Sequence, residues 1–263
     1  TAPGRSSGGS RSGFASLLAA EAIKLKRSSA WVVIILLPLL AVFAGTFNFY
    51  ANREVFSQTW ESLTSQMTVF YSMFFCSLGV ALLTSTVWRV EHRGTSWNAM
   101  RTTPHSPIAV ALAKTLVIFV PVLAMQVVFM VLAWISGTFI MGLGPAMPLV
   151  FIVADLLAIV GALPLIAVQS LLSMLMRSFA APVAVAFVGC VIATGLEASQ
   201  SPLAYGVPQG ILSMTLLLGS SAMSTAGKLD AASILPLLAA IVGLGAVLWG
   251  LLALVARRTG GVR

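Results

Sequence analysis

Charge is scarce in this chain. Of 263 residues, 15 are Lys or Arg and 7 are Asp or Glu, so 8% are charged, where a soluble domain carries about 25%. A soluble globule of this size could not cover its surface with so few charges, and the composition is equally foreign to a disordered chain or a collagen-like fibre. Cysteine is limited to Cys76 and Cys190, which excludes a disulfide scaffold. Histidine is limited to His92 and His105, isolated and without acid or Cys partners, which argues against a metal site. What is abundant is apolar: 59% of the residues are hydrophobic. The combination points to an all-α membrane protein with several spans.

The stretches between charges define those spans. A helix needs about 20 apolar residues to cross a bilayer, and the charge-free runs are 28–52, 62–88, 115–154, 156–176, 178–196, 198–227 and 231–256. The run 115–154 is too long for one helix and is broken by Gly137, Gly142, Gly144, Pro145 and Pro148, a loop composition. The run 198–227 is rich in Ser, Gly, Pro and Gln, and its apolar core, 211–218, is too short to cross. It reads as an outer re-entrant or interfacial segment. Six spans are therefore expected, at about 30–50, 66–88, 108–136, 148–176, 180–197 and 232–256. Pro38, Pro121 and Pro164 are expected to kink their helices.

The positive-inside bias tests this arrangement. Six spans put both termini on one side, with Arg5, Arg11, Lys24, Lys26, Arg27, Arg89, Arg93, Arg101, Lys114, Arg177, Arg257, Arg258 and Arg263. Only Arg53 and Lys228 fall on the other. Both ends are therefore expected in the cytoplasm. Glu54, Glu61, Glu197 and Asp230 fall outside. The net charge of +8 is thus spread along one membrane face, where it can attract anionic lipid, and is not a nucleic-acid patch.

Residues 1–13 are rich in Ser, Gly and Arg and are expected to be a disordered cytoplasmic tail without the apolar stretch of a signal peptide. Residues 14–28 are expected to form an amphipathic interfacial helix, with Phe14, Leu17, Leu18, Ala22 and Leu25 on one face and Glu21, Lys24 and Arg27 on another. Residues 257–263 are a second short cytoplasmic tail. No zincin HExxH, GxSxG elbow or dinucleotide-binding glycine motif occurs. Nor does a P-loop: the nearest stretch, ending in Gly227-Lys228, has Ala222 for the first glycine and Leu229 for the Ser/Thr. No internal repeat suggests a secondary transporter.

The cytoplasmic connection 89–107 is the most informative. A short helix is expected at about 95–101, with Trp97 and Met100 on one side. Ser106 as N-cap and Pro107 at the first helical position would start the third span. Asp155 lies about two turns into the fourth span, where a carboxylate costs about 2.5–3.5 kcal/mol at the bilayer centre. It should face the interior or a wet cavity. Gln126 and Gln169 are further polar groups within spans, of the kind that more often join helices than touch substrate.

The order of these elements resembles the ABC-2 type permeases, the transmembrane subunits of type-2 ABC exporters, and especially the lantibiotic-immunity permeases. The residues that carry the resemblance are the stretch from Glu21 through Lys24, Lys26 and Arg27 to Ser28, the loop Trp88-Arg89-Val90-Glu91-His92-Arg93-Gly94 leading to Ser96-Trp97-Asn98, then Pro104 and the pair Ala113-Lys114. The resemblance implies an elbow helix, a cytoplasmic coupling helix and a dimer of permeases, identical or paralogous. It implies docking of separate ATPase subunits on Glu21, Lys24, Arg89, Glu91, His92, Arg93, Trp97, Asn98, Met100 and Arg101. ATP and Mg would bind the partner ATPase, with no cofactor or metal on this chain. The cargo would be an amphipathic, lantibiotic-like peptide or related antibiotic, expelled across a bacterial cytoplasmic membrane. A substrate path would hold Asp155, Gln126 and Gln169, and charge placement suggests Glu54, Glu61, Glu197 and Asp230 as outer acids that attract a cationic cargo. The competing reading is an ATP-independent carrier, sensor or scaffold that uses Asp155. An intramembrane enzyme has little support, since no acid–base or nucleophile pair recurs in the spans.

Overall fold

The computed structural model describes residues 9–26, 28–92, 106–221 and 227–261. Among them every regular element is helical: α1 (Gly9–Lys26), α2 (Ala30–Ala51), α3 (Trp60–Phe70), α4 (Cys76–Arg89), α5 (Pro107–Ile135), α6 (Leu149–Gly161), α7 (Leu163–Leu175), α8 (Ala180–Ala198), α9 (Pro208–Leu216) and α10 (Ala231–Gly261). A π-helical turn, Tyr71–Phe75, joins α3 to α4, and a second, Ser136–Ile140, ends α5. Six stretches among the described residues are long and apolar enough to cross a membrane: Ala30–Ala51, Trp60–Arg89, Pro107–Ile140, Leu149–Leu175, Ala180–Ala198 and Ala231–Arg258. They match the six expected spans.

Local chemistry sets the boundaries. The second span starts at Trp60, not 66, because the Thr59 side chain accepts a hydrogen bond from the Ser62 N–H and caps the helix, a regular N-cap arrangement. Ser106 caps α5 through the Ala109 N–H at 3.2 Å, with Pro107 in the first turn, as the sequence suggests. Gly142 and Gly144 have φ of 68° and 79° and turn the chain after α5, but Gly137 belongs to the π turn rather than the loop. A Cβ there would overlap the Trp60 indole. The helix α1 begins at Gly9, earlier than 14, and α10 runs on to Gly261. Once nucleated, a helix extends into polar residues at little cost, and the basic last turn of α10 suits the helix dipole. Residues 1–8 lie outside the described ones.

Pro164 does more than kink its span. It starts α7 after a break at Ala162, so the fourth span is two short helices. Proline lacks the N–H that would bond four residues back. The segment read as re-entrant contains α9, a nine-residue helix whose Ile211 and Leu212 are fully buried. It packs against α6 and α8 and touches α7. Thr215 of α9 lies 3.0 Å from where a Cβ on Gly161 would sit, beside the break.

The second and fourth spans are mostly buried, while the fifth and sixth leave most of their surface open to surroundings outside this chain. The core cluster runs from Ile34 and Phe49 of α2 through Leu63, Val80 and Leu83 to Phe129, Leu165 and Leu252. Helices in lipid gain nothing from hiding apolar surface from one another, so contact depends on close packing and polar links. At Gly45 of α2, a Cβ would stand 2.5 Å from the Met67 backbone nitrogen. Nearby, Asn48 Nδ2 donates to Gln66 Oε1 at 2.7 Å. Cys76 and Cys190 are both buried and free, as packed apolar residues.

Gly45→Ala should therefore push α2 from α3. Overpacking of this kind costs about 1–3 kcal/mol, so the thermal midpoint of the detergent-purified protein should fall by several degrees while Gly243→Ala, where a Cβ meets open space, leaves it unchanged.

Candidate functional site

The end of the bundle that carries α1 is organised around a buried cation. Lys114, in the second turn of α5, has no exposed surface. Its Nζ donates to Glu21 Oε2 at 2.7 Å and stands 5.6 Å from the centre of the Trp88 ring. Glu21 Oε1 accepts from Lys24 at 2.7 Å. Two elements 93 residues apart are thus joined by an ion pair, and α1 lies along α5.

This corrects the expected faces of α1. Glu21 is 4% exposed and shares the inner side with Phe14, Leu17, Leu18 and Leu25, while Ala22 and Ile23 face outward. The reason is the partner: apolar periodicity assigns a carboxylate to water, but a buried ammonium draws it in. Lys114, counted among the charges of the cytoplasmic face, is a core residue for the same reason. Lys24 stays at the surface, 41% exposed.

Beside this pair the chain leaves the second span. Arg89 is exposed, its guanidinium 5.3 Å from the centre of the Phe179 ring. Residues Val90–His92 form a 3-10 turn, and Glu91 is placed there by its backbone alone. His92 Nε2 lies 2.7 Å from the Ser173 carbonyl, which makes Nε2 the donor and ties the start of the loop to the end of α7. Arg93, Trp97, Asn98, Met100 and Arg101, the expected coupling helix and His105 lie outside the described residues. Among the described residues no group of three His, Cys, Asp or Glu could hold a metal.

A second polar region runs through the middle of the bundle. The π turn aims Tyr71 inward, where its hydroxyl donates to Gln126 Oε1 and its ring stacks on Phe129 with centroids 3.9 Å apart. Gln126 and Gln169 have no exposed surface and Asp155 is 1% exposed. Asp155 therefore faces the interior, as expected. Neither of its oxygens, nor either polar atom of the Gln169 side chain, has a hydrogen-bond partner among the described residues. The three do not form one bonded cluster. Only Gln126 is engaged, and its partner Tyr71 escaped the sequence reading because a π turn has no simple sequence mark. Ser85 and Ser173 meet at 3.3 Å on the α1 side of this region.

The four acids expected outside separate into different roles. Glu54 is exposed in the α2–α3 loop and Glu61 in the first turn of α3. Asp230 accepts the Ser233 N–H at 2.9 Å and so caps α10, which holds its carboxyl below the usual carboxylate range. The spacing Asp230 to Ser233 just before an apolar run could have announced that cap. Glu197, at the end of α8, is only 9% exposed. Its Oε2 accepts from Ser213 Oγ of α9 at 2.9 Å.

These features define a multi-pass helical membrane protein with a charged, laced end and no nucleotide-binding motif of its own. A family model described as ABC-2 family transporter protein matches residues 17–193, more than half of the chain. The chain belongs to that family and is a transmembrane permease subunit. The match takes in much of α1, the loop after α4, the first four spans and most of the fifth, and family membership implies association with ABC ATPase subunits. No curated protein and no solved structure matches the chain.

Two outcomes follow. Glu21→Gln takes the carboxylate from the fully buried Lys114 and should cost about 3–5 kcal/mol, whereas Lys114→Met leaves Glu21 its second cation, Lys24, and should cost about 1.5–3 kcal/mol. Thermal melts in detergent should rank them in that order. Asp155→Asn should leave the melting midpoint equal to wild type or higher, because the carboxylate oxygens receive no donor from the described residues and a neutral amide is easier to bury. A large fall would show that the charge is used.

Proposed function

We propose that this chain is the permease of an ATP-driven exporter in a bacterial cytoplasmic membrane, with both termini in the cytoplasm. Two permease subunits, identical or paralogous, surround a path, and two ABC ATPase subunits dock beneath them. The observation that carries the reading is the family match over residues 17–193. The placement of the charged end supports it: α1 and the start of the 89–107 loop are both clamped to the bundle, by Glu21–Lys114 and by His92–Ser173. A force applied there by a motor would reach α5 and α7 directly.

In this reading Lys24, Arg89, Glu91, His92, Arg93, Trp97, Asn98, Met100 and Arg101 contact the ATPase, and Glu21 positions α1. ATP and Mg bind the partner. The cargo is an amphipathic antimicrobial peptide, lantibiotic-like, or a related antibiotic, moved from the membrane to the outside. The resemblance around Glu91, Trp97 and Asn98 supports that cargo class, and the exposed Glu54 and Glu61 support attraction of a cation as it leaves.

The test is co-expression with an ABC ATPase encoded beside the chain. The two should co-purify, ATP hydrolysis should appear only with both, and Trp97→Ala or Glu91→Ala should detach the ATPase or uncouple hydrolysis from export. Transport by the chain alone under an ion gradient, abolished by Asp155→Asn, would replace this reading with the ion-driven carrier.

A further inference from the structure

Two cavities open at the end of the bundle opposite α1, and they share two wall residues. The first, about 350 Å³, is lined by Ser62, Gln66, Ser72 and Thr194 together with apolar Val69 and Met73. The second, about 380 Å³, is lined by Gln200, Ser201, Tyr205, Met214 and Leu237. Glu197 lines both. Leu217 also borders both and forms an apolar part of the partition.

The carboxylate of Glu197 is incompletely compensated. Ser213 donates to Oε2, while Oε1 has no hydrogen-bond partner among the described residues, and none of the described Lys or Arg residues forms an ion pair with it. A carboxylate that is nine-tenths buried needs a cation or several donors to remain charged. The described residues supply one hydroxyl. Metal coordination is a poor match, because no second acid, His or Cys joins Glu197 in a three-residue group among the described residues. The surrounding chemistry is instead that of an amine site: one carboxylate for the charge, side-chain hydroxyls and amides for the remaining N–H groups, and apolar Phe56, Val69 and Met73 for a hydrocarbon body.

We infer that Glu197 is the anchor of a binding site for a primary ammonium or guanidinium group attached to an apolar body, held in the paired cavities between α3, α8 and α9. Such a group would bring the missing donors and charge to Oε1. The exposed Glu61, next in the chain to Ser62 of the cavity wall, steers cations towards the opening. The site gives the exporter reading its cargo chemistry and rests on that reading for its biological sense, but binding is measured on this chain alone. Failure of ATPase co-purification and failure of amine binding are therefore separate results.

The experiment uses the full chain in phosphatidylcholine nanodiscs. The probe is dansylcadaverine, a fluorescent alkyl primary amine, read by fluorescence anisotropy against empty nanodiscs, alongside its N-acetylated, uncharged analogue. Wild type should bind the amine saturably and the acetylated analogue at least tenfold more weakly. Glu197→Gln, which retains an acceptor for Ser213, should lose at least tenfold for the amine. Glu197→Asp keeps the charge and should retain binding between the two. Where Glu197→Gln does not fold, the amine and acetyl pair on wild type decides alone. Adding phosphatidylethanolamine to the nanodiscs separates the sources: competition that requires Glu197 assigns the site to a lipid headgroup, and no competition assigns it to a separate amine cargo. Equal binding of amine and acetylated probe, or a folded Glu197→Gln that binds the amine like wild type, overturns the inference.

Discussion

Hydrocarbon forces every polar group of a spanning helix to find its partner inside the protein or at the membrane rim. With so few charges available, each that leaves the rim has to be answered by another residue. Lys114 shows the rule at its strictest. An ammonium with no exposed surface sits about two helical turns inside α5, and the chain answers it with Glu21 from α1 and the face of Trp88. Removing water strengthens that attraction and also makes each partner costly without the other. This single cation joins α1, the end of the second span and the start of the third.

The same constraint explains the uneven distribution of surface. The second and fourth spans are central and carry the polar side chains that link helices: Tyr71 to Gln126, Ser85 to Ser173. The first, fifth and sixth carry large apolar residues outward, such as Phe43, Phe187 and Val242. A helix whose exposed side is apolar suits lipid or another apolar helix equally well. A helix with inward Ser, Thr and Gln suits only the neighbour that completes its hydrogen bonds.

Much of this architecture was legible in the sequence. Charge-free length is enough to locate six spans, because the bilayer sets a minimum length independent of packing. Ser106 and Pro107 announce the start of α5, since a helix cap is made by residues three apart. What stayed hidden depends on residues far apart in the chain. Glu21 reads as a surface residue until Lys114 is placed beside it, and Glu197 reads as an outer loop acid until α9 brings Ser213 against it. The segment 198–227 has the polarity of a loop, yet α9 is buried, because Ile211, Leu212 and Leu216 find a pocket among α6, α7 and α8 that no periodicity reveals. The π turn was likewise invisible: an extra residue per turn changes which side chains point inward without changing composition.

The break at Ala162 changes what the fourth span is as a mechanical object. A continuous helix transmits a push along its axis from one membrane face to the other. Here α6 is held by α9, with Thr215 seated at the joint, while α7 is packed against α4 and receives the His92 contact at its far end. The span is thus two helical pieces in series, both touched by α5, α9 and α10 but weighted differently, α9 leaning on α6 and α10 on α7. An interruption of this kind lets the two pieces take their own directions, which one unbroken helix cannot do.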